Sequence, residues 1–212
     1  SRVVLDKTSF VILGYSGHAF VVADIAMEAG IRIQYYADKQ ISQINPFELE
    51  YLGYESDPDF PGWSRGFQFV LGIGDNGIRE KAAFRLFENQ AILLNIIHPG
   101  SGISKKAELG SGIFVSRNVS VNSFAEIGNY CILNTGCIIE HECKIGSASH
   151  IAPGAVLAGN VTVGERSFIG ANSVVKQGVS IGKDAVIGAG SVIIHDIPDG
   201  GVFAGNPAKP IK

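Results

Sequence analysis

Positive charge is scarce in this sequence. Seventeen Lys and Arg stand against twenty Asp and Glu, for a formal net charge of -3, so the chain offers no basic footprint for nucleic acid. Long apolar runs are missing as well. None approaches the roughly 18 residues of a membrane span, and Phe10 to Gly14 is too short an apolar run for a signal peptide. We therefore expect a cytoplasmic protein with no membrane span. Cysteine occurs three times, at Cys131, Cys137 and Cys143. These are six apart rather than in the paired spacing of a metal site, which points to small apolar filler in a reduced compartment.

What the sequence does have is a strict period. From Ile103 to Ile193 in steps of six, all sixteen positions are aliphatic. A strand alone repeats every 2 residues and a helix every 3.6, so a period of six means a short strand plus a corner, repeated. Three such units make one coil of a triangular prism, a hexapeptide β-helix. Glycines at 110, 128, 146, 164 and 182, and at 170 and 188, recur every eighteen residues and should stack as ladders. Three residues after each aliphatic the chain needs a tight corner. From the repeat of Leu109 to that of Ile187, nine of fourteen such positions are Gly, Asn or Asp, the residues that tolerate positive φ. The next position is mostly small, which gives a second inward row and places the three cysteines inside.

The N-terminal part reads differently. Residues 1–8 carry no pattern and are expected to be ragged. A buried strand over 9–14 leads through Tyr15-Ser16-Gly17-His18 into a helix over 19–29, and a second strand follows over 31–37. The turn is G-x-x-G-H, not the G-x-G-x-x-G fingerprint, so hydride chemistry is not indicated. A helix N-terminus at such a turn still suits a phosphate. Asp38 stands where an acid meets ribose or base in such folds. Residues 39–66 are loop-rich. A strand over 67–73, the loop Gly74-Asp75-Asn76, a helix over 77–88 and a last strand over 91–97 complete the unit. Half a dinucleotide fold suits a mononucleotide or a nucleotide-linked sugar.

One corner of the prism breaks the pattern. After Ile139 comes Glu140-His141-Glu142, with Glu142 where Gly or Asn is usual. A corner presents its side chains outward, and a neighbouring carboxylate fixes a histidine's tautomer and raises its basicity, as a general base requires. A solvated histidine between two surface acids is the plainer reading of the same residues. Gly159 lies eighteen residues on, so its bare backbone N–H should stack beside the imidazole as an oxyanion donor. His150 is the other histidine of this region; a zinc site of His141, His150 and a third ligand lacks that third histidine, and no metal is expected.

The segments V-I-L-G-Y-S-G-H-A-F-V-V-A-D-I-A, I-G-D-N-G-I-R and I-L-N-T-G-C-I-I-E-H-E-C-K-I-G resemble bacterial sugar acetyltransferases of the sialic-acid O-acetyltransferase type. Within them the resemblance is to the nucleotide-sugar branch that N-acetylates UDP-4-amino sugars of the bacillosamine pathway. It implies an α/β Rossmann-like half-domain over 1–99 and an all-β left-handed parallel β-helix of hexapeptide repeats over 100–212. It implies a homotrimer that uses acetyl-CoA as co-substrate, lying between adjacent prisms, and a nucleotide-linked amino sugar as acceptor. His141 would be the general base and Glu142 the group tuning it. His150, Ala171 and Ala189 would meet acetyl-CoA, the alanines through backbone only. Ser16, Gly17, His18, Asp38, Lys39 and Gly74 would hold the nucleotide sugar. The tail Gly205 to Lys209 resembles the closing segment of hexapeptide acyltransferases. O-acetylation of a sialic-acid-type sugar, a metal-dependent hydratase of the carbonic-anhydrase type and a non-catalytic nucleotide-sugar sensor stand as rival readings.

Overall fold

Each repeat of six folds into a two-residue strand that ends on its aliphatic residue, followed by a four-residue corner, from Gly102–Ile103 to Val192–Ile193. The computed structural model describes residues 8–211; the rest of the expected ragged N-terminus lies outside the described residues. Strands three repeats apart pair in parallel with a register of eighteen, as Leu133 with Ile151 and Ile139 with Leu157. Three sheets result, the faces of the prism. The first carries Ile132–Leu133 and His150–Ile151, the second Ile138–Ile139 and Val156–Leu157, the third Lys144–Ile145 and Thr162–Val163. The aliphatic rows and all three cysteines form one buried core.

The corner rule holds further than composition indicates. All fourteen third corner positions from Gly112 to Gly190 have positive φ. Five are neither Gly, Asn nor Asp: Phe124, Tyr130, Glu142, Ala148 and Arg166, with φ between 57° and 63°. The glycine ladder has a steric cause. A Cβ at Gly146 would run into the backbone of Gly164 and Glu165 on the next coil.

The N-terminal unit is a five-stranded parallel sheet. Its strands are β1 (Phe10–Leu13), β2 (Tyr35–Ala37), β3 (Glu50–Gly53), β4 (Gln68–Leu71) and β5 (Ile92–Leu93), in the order β3-β2-β1-β4-β5. Helices α1 (Gly17–Glu28) and α2 (Asn76–Glu88) cross over between them. Two expectations need correction. The loop-rich stretch contains β3, which lengthens the sheet. The single strand expected over 91–97 is two: Ile92–Leu93 ends the N-terminal sheet, and Ile96–Ile97 already belongs to the first prism face. Asn95 makes the change possible, its side chain bonding Gly110 O and Ile113 N as a strand backbone would.

The two units share a core. Ala19, Val22 and Ile25 of α1 pack with Ile96, Phe114 and Ile132 of the first face. Arg117, from a prism corner, pairs with Asp24 at 2.7 Å and with Glu28, and His98 bonds Glu28 at 2.5 Å. The N-terminal unit therefore sits on the first face. At the other end, Val202–Gly205 and Ala208–Pro210 form a hairpin that extends that face beyond Val186–Ile187. Among the described residues no helix is long and apolar enough to cross a membrane.

Candidate active site

The His141 corner joins the second face to the third. Its imidazole Nδ1 lies 3.0 Å from Glu142 Oε2, so the carboxylate holds the proton on Nδ1 and leaves Nε2 as an acceptor. The positive φ of Glu142, 61°, is sterically costly for a side chain with a Cβ. Half the His141 side chain is exposed. Gly159 lies directly over it: a Cβ there would collide with Nε2 and Cε1 of His141. The Gly159 N–H makes no hydrogen bond among the described residues, while its carbonyl accepts from Gly178. The corner thus presents a basic nitrogen beside an unbonded backbone donor.

The second locus is on the N-terminal unit. The strand order reverses between β1 and β4, and open parallel sheets bind ligands at the carboxyl ends beside such a switch point. Ser16, Asp38, Lys39 and Gly74 line a cleft of about 290 Å³ there. Ser16 precedes α1 and makes no side-chain cap, and Gly17 opens the helix with space around it. Asp38 accepts from the backbone N–H of Tyr15 at 3.0 Å and from its neighbour Lys39 at 2.7 Å, so its carboxylate fixes the turn as well as facing the cleft. Gly74 packs against the His18 side chain; a methyl added to it would sit 3.7 Å from His18 Cβ.

A second cleft of about 600 Å³ continues from Gly74 and Asp75 onto the first face, past His150, Phe168 and Arg166. His18 and His150 meet at its edge, with ring centroids 6.4 Å apart. The His18 ring stands edge-on to Phe114 and the His150 ring edge-on to Phe168. Burial lowers the pKa of His18 to about 4 and that of His150 to about 3, and the Arg79 charge adds to both. Both are neutral near pH 7. Asn134 Nδ2 lies 3.1 Å from His150 Nε2 and donates to it, which leaves the His150 proton on Nδ1. His18 Nε2 is buried with no partner among the described residues.

Ala171 and Ala189 stack on a third locus, the corner between first and second faces, where the Gly190 N–H bonds the Ala171 carbonyl at 2.7 Å. Their own N–H groups bond nothing among the described residues. The structure thus brings Ser16, Gly17, His18, Asp38, Lys39, Gly74 and His150 together on the first-face side. It sets His141, Glu142 and Gly159 on the opposite corner of the same prism.

Both units resemble known proteins. Residues 9–86 match the PglD N-terminal domain, residues 124–159 the bacterial transferase hexapeptide (six repeats), and residues 160–194 the hexapeptide repeat of succinyl-transferase. A perosamine N-acetyltransferase from Caulobacter crescentus, solved with CoA and GDP-perosamine, is 34% identical, with 96% of this chain and 97% of that one covered and a TM-score of 0.89. The same enzyme with one histidine replaced by asparagine aligns at 33% identity and a TM-score of 0.91, over 96% and 97% of the two chains. The acetyltransferase domain of PglB from Neisseria gonorrhoeae, solved with acetyl coenzyme A, is 30% identical over 96% of this chain and 98% of that one, with a TM-score of 0.86. The chain belongs to the hexapeptide-repeat sugar acetyltransferases.

As a member of that family it is an acyltransferase with a Rossmann-like N-terminal domain and a left-handed β-helix. Two residues that shape the candidate site, Arg79 and Asn134, and one that borders its corner, Phe124, escaped the sequence reading. Arg79 is 1% exposed, and its signal was a lone cation in the inward stripe of α2 shared with Ala82, Ala83 and Leu86. Asn134 lies inside a quoted motif but carries no chemical signature of its own. Phe124 occupies a corner position where the repeat calls for Gly or Asn.

Proposed function

We propose that the protein transfers the acetyl group of acetyl-CoA to the 4-amino group of a nucleotide-linked amino-deoxysugar, with His141 as general base. The observation that carries this reading is the His141 corner itself. Nδ1 is tied to Glu142, and Nε2 faces outward beside the unbonded Gly159 N–H. The sugar amine attacks the thioester carbonyl and passes its proton to His141 Nε2. The tetrahedral oxyanion is held by the Gly159 N–H, and its collapse expels the CoA sulfur, which takes the proton from His141. Transfer is direct. The three cysteines are fully buried, and burial raises the thiols of Cys131 to about 11 and Cys137 to about 12, so neither supplies a thiolate for an acyl-enzyme.

We further propose a homotrimer. The nucleotide cleft lies on the first face and His141 on the corner opposite to it, so a neighbouring copy must bring its cleft to this corner. The second face supports the arrangement. From Ile138 onward its outward row, Ile138, Val156, Val174 and Val192, is apolar, whereas the third face presents Glu108, Glu126, Lys144, Thr162 and Ser180. The Ala171 and Ala189 N–H groups border the same second face and suit the amide-bearing arm of CoA, near His150. Work in the cytoplasm follows from the use of acetyl-CoA.

The relatives bind GDP-perosamine in one case and acetyl coenzyme A in another, so GDP-perosamine heads a panel with UDP- and dTDP-linked 4-amino sugars. Release of CoA thiol and an acetylated product with at least one of them is expected. Acetylation of a free nine-carbon sugar hydroxyl with none of the panel accepted would overturn the reading in favour of O-acetylation.

A further inference from the structure

The five non-Gly, non-Asn, non-Asp residues at positive φ in the corners are backbone conformations that an ordinary side chain disfavours, and four have a visible cause. Tyr130, Ala148 and Arg166 stack on one corner and offer carbonyls to Arg79 and Asn76 of the N-terminal unit. Glu142 holds His141. Phe124 has no such contact. Its φ is 63°, its ring is 62% exposed, and it lies on the catalytic corner one coil below Glu142, a spacing of about 4.8 Å. The equivalent position one coil above Glu142 is Asn160, the residue type that the conformation favours.

The order of groups along the prism axis says which reactant passes Phe124. Above His141 comes the Gly159 N–H on the same corner, and higher still, on the neighbouring corner across the second face, come the unbonded N–H groups of Ala171 and Ala189, which is the side of the acyl donor. Attack on the thioester carbonyl must come from the other side, where Phe124 lies. One coil lower still are Lys105 and Lys106, exposed and without a carboxylate partner among the described residues. An aromatic face attracts the polarised C–H face of a sugar ring through its negative quadrupole, and two lysines beyond it suit the phosphates to which that sugar is linked.

We propose that Phe124 is a specificity-determining residue, the platform on which the hexose ring of the nucleotide-linked amino sugar, delivered from a neighbouring copy's cleft, is held while its amine meets His141. This rests on the general-base reading of the His141 corner given above. The fold sets the positive φ at every such corner; the need for a ring explains why a bulky residue stands at this one in place of Gly or Asn.

The test is steady-state kinetics with GDP-perosamine and acetyl-CoA on the trimer, comparing wild type with Phe124→Asn and Phe124→Tyr, together with thermal melts and sedimentation. In Phe124→Asn, KM for GDP-perosamine should rise about tenfold, the equivalent of about 1.4 kcal/mol. KM for acetyl-CoA should stay within about twofold, and Tm should rise by about 2–4 °C as the strain is relieved. Phe124→Tyr, which keeps the ring, should retain the wild-type KM. A rise in KM for acetyl-CoA instead would put the ring on the donor side, and dissociation of the trimer would make it a subunit contact; either overturns the proposal. So does an unchanged KM in Phe124→Asn alongside an active wild type, which leaves the general-base reading standing. A wild type that acetylates no member of the panel overturns both.

Discussion

The guanidinium of Arg79, in α2, donates from Nε to the carbonyl of Tyr130 on a prism corner at 2.7 Å. Its remaining hydrogens reach Ile73 O, Gly74 O, Asn76 Oδ1 and Ala148 O at 2.8 to 3.2 Å, with Ser149 O at 3.4 Å. Every acceptor is a neutral oxygen. Tyr130 and Ala148 are one coil apart, and Arg166, one coil further, receives the Asn76 side chain at 3.0 Å. The left-handed corner residues thus offer a ladder of carbonyls that α2 reads in sequence. The loop carrying Gly74 is fixed to the coil that leads into His150. Burial lowers the Arg79 pKa to about 10, which still leaves it fully charged near neutrality.

Replacing Arg79 by Met should therefore be severely destabilising. It strips five or six carbonyls of their donor, at about 1–3 kcal/mol for each group left buried and unpaired; partial relaxation brings the expected total to about 3–5 kcal/mol. Arg79→Lys supplies three donors from a single point and should recover less than half. Urea denaturation followed by far-UV circular dichroism measures both. A loss below about 1 kcal/mol for Arg79→Met would show that the ladder does not hold the two units together.

The period of six placed the prism strands and buried the cysteines because a solenoid repeats one local decision, and each repeat confirms the last. It also set Gly159 over His141, since stacking by eighteen is pure geometry. Arg79 was illegible for the opposite reason: its partners on the prism are main-chain carbonyls 51 to 70 residues away, and a carbonyl leaves no mark in a sequence. The change of sheet at Asn95 was hidden similarly, since an amide imitating a strand's hydrogen bonds looks like any loop residue. The separation of His141 from the nucleotide cleft was also out of reach, because the face on which the N-terminal unit docks depends on the packing of Phe114 and Ile132 against α1.

Gly159→Ala separates the catalytic from the structural use of the ladder. Gly159 is not in the positive-φ region, so the backbone tolerates alanine, but the new Cβ occupies the place of His141 Nε2. The imidazole must swing out of position. Turnover should fall by about 10²-fold or more, the scale of losing a general base, with Tm unchanged or slightly raised. Kinetics within tenfold of wild type would mean that His141 does not work in the geometry seen here.

Acidification should begin to weaken the fold well above the ordinary carboxylate range. His18 and His150 have folded pKa values of about 4 and 3 against about 6.5 in an unfolded chain. Between those limits the unfolded state binds protons that the folded state refuses. Stability is therefore full above about pH 6.5 and declines as pH falls toward about 4, with an upper limit near 1.4 kcal/mol per pH unit for each histidine. Urea midpoints at several pH values check this, and His18→Phe should roughly halve the slope. A flat profile down to the carboxylate range would show that the pair accepts protons in place.

Glu142 acts only through His141, and that gives a double-mutant cycle a definite outcome. The carboxylate touches Nδ1 at 3.0 Å and lies, like the histidine, largely in solvent. Removing it frees the imidazole to rotate and to adopt the wrong tautomer, so Glu142→Ala should lower kcat by about tenfold. His141→Ala removes the base itself and should cost about 10²–10⁴-fold, leaving acetyl-CoA affinity close to wild type. The double variant should be no worse than His141→Ala, because once the imidazole is gone the carboxylate has nothing to orient. Additive losses would instead give Glu142 a contact of its own with the reactants.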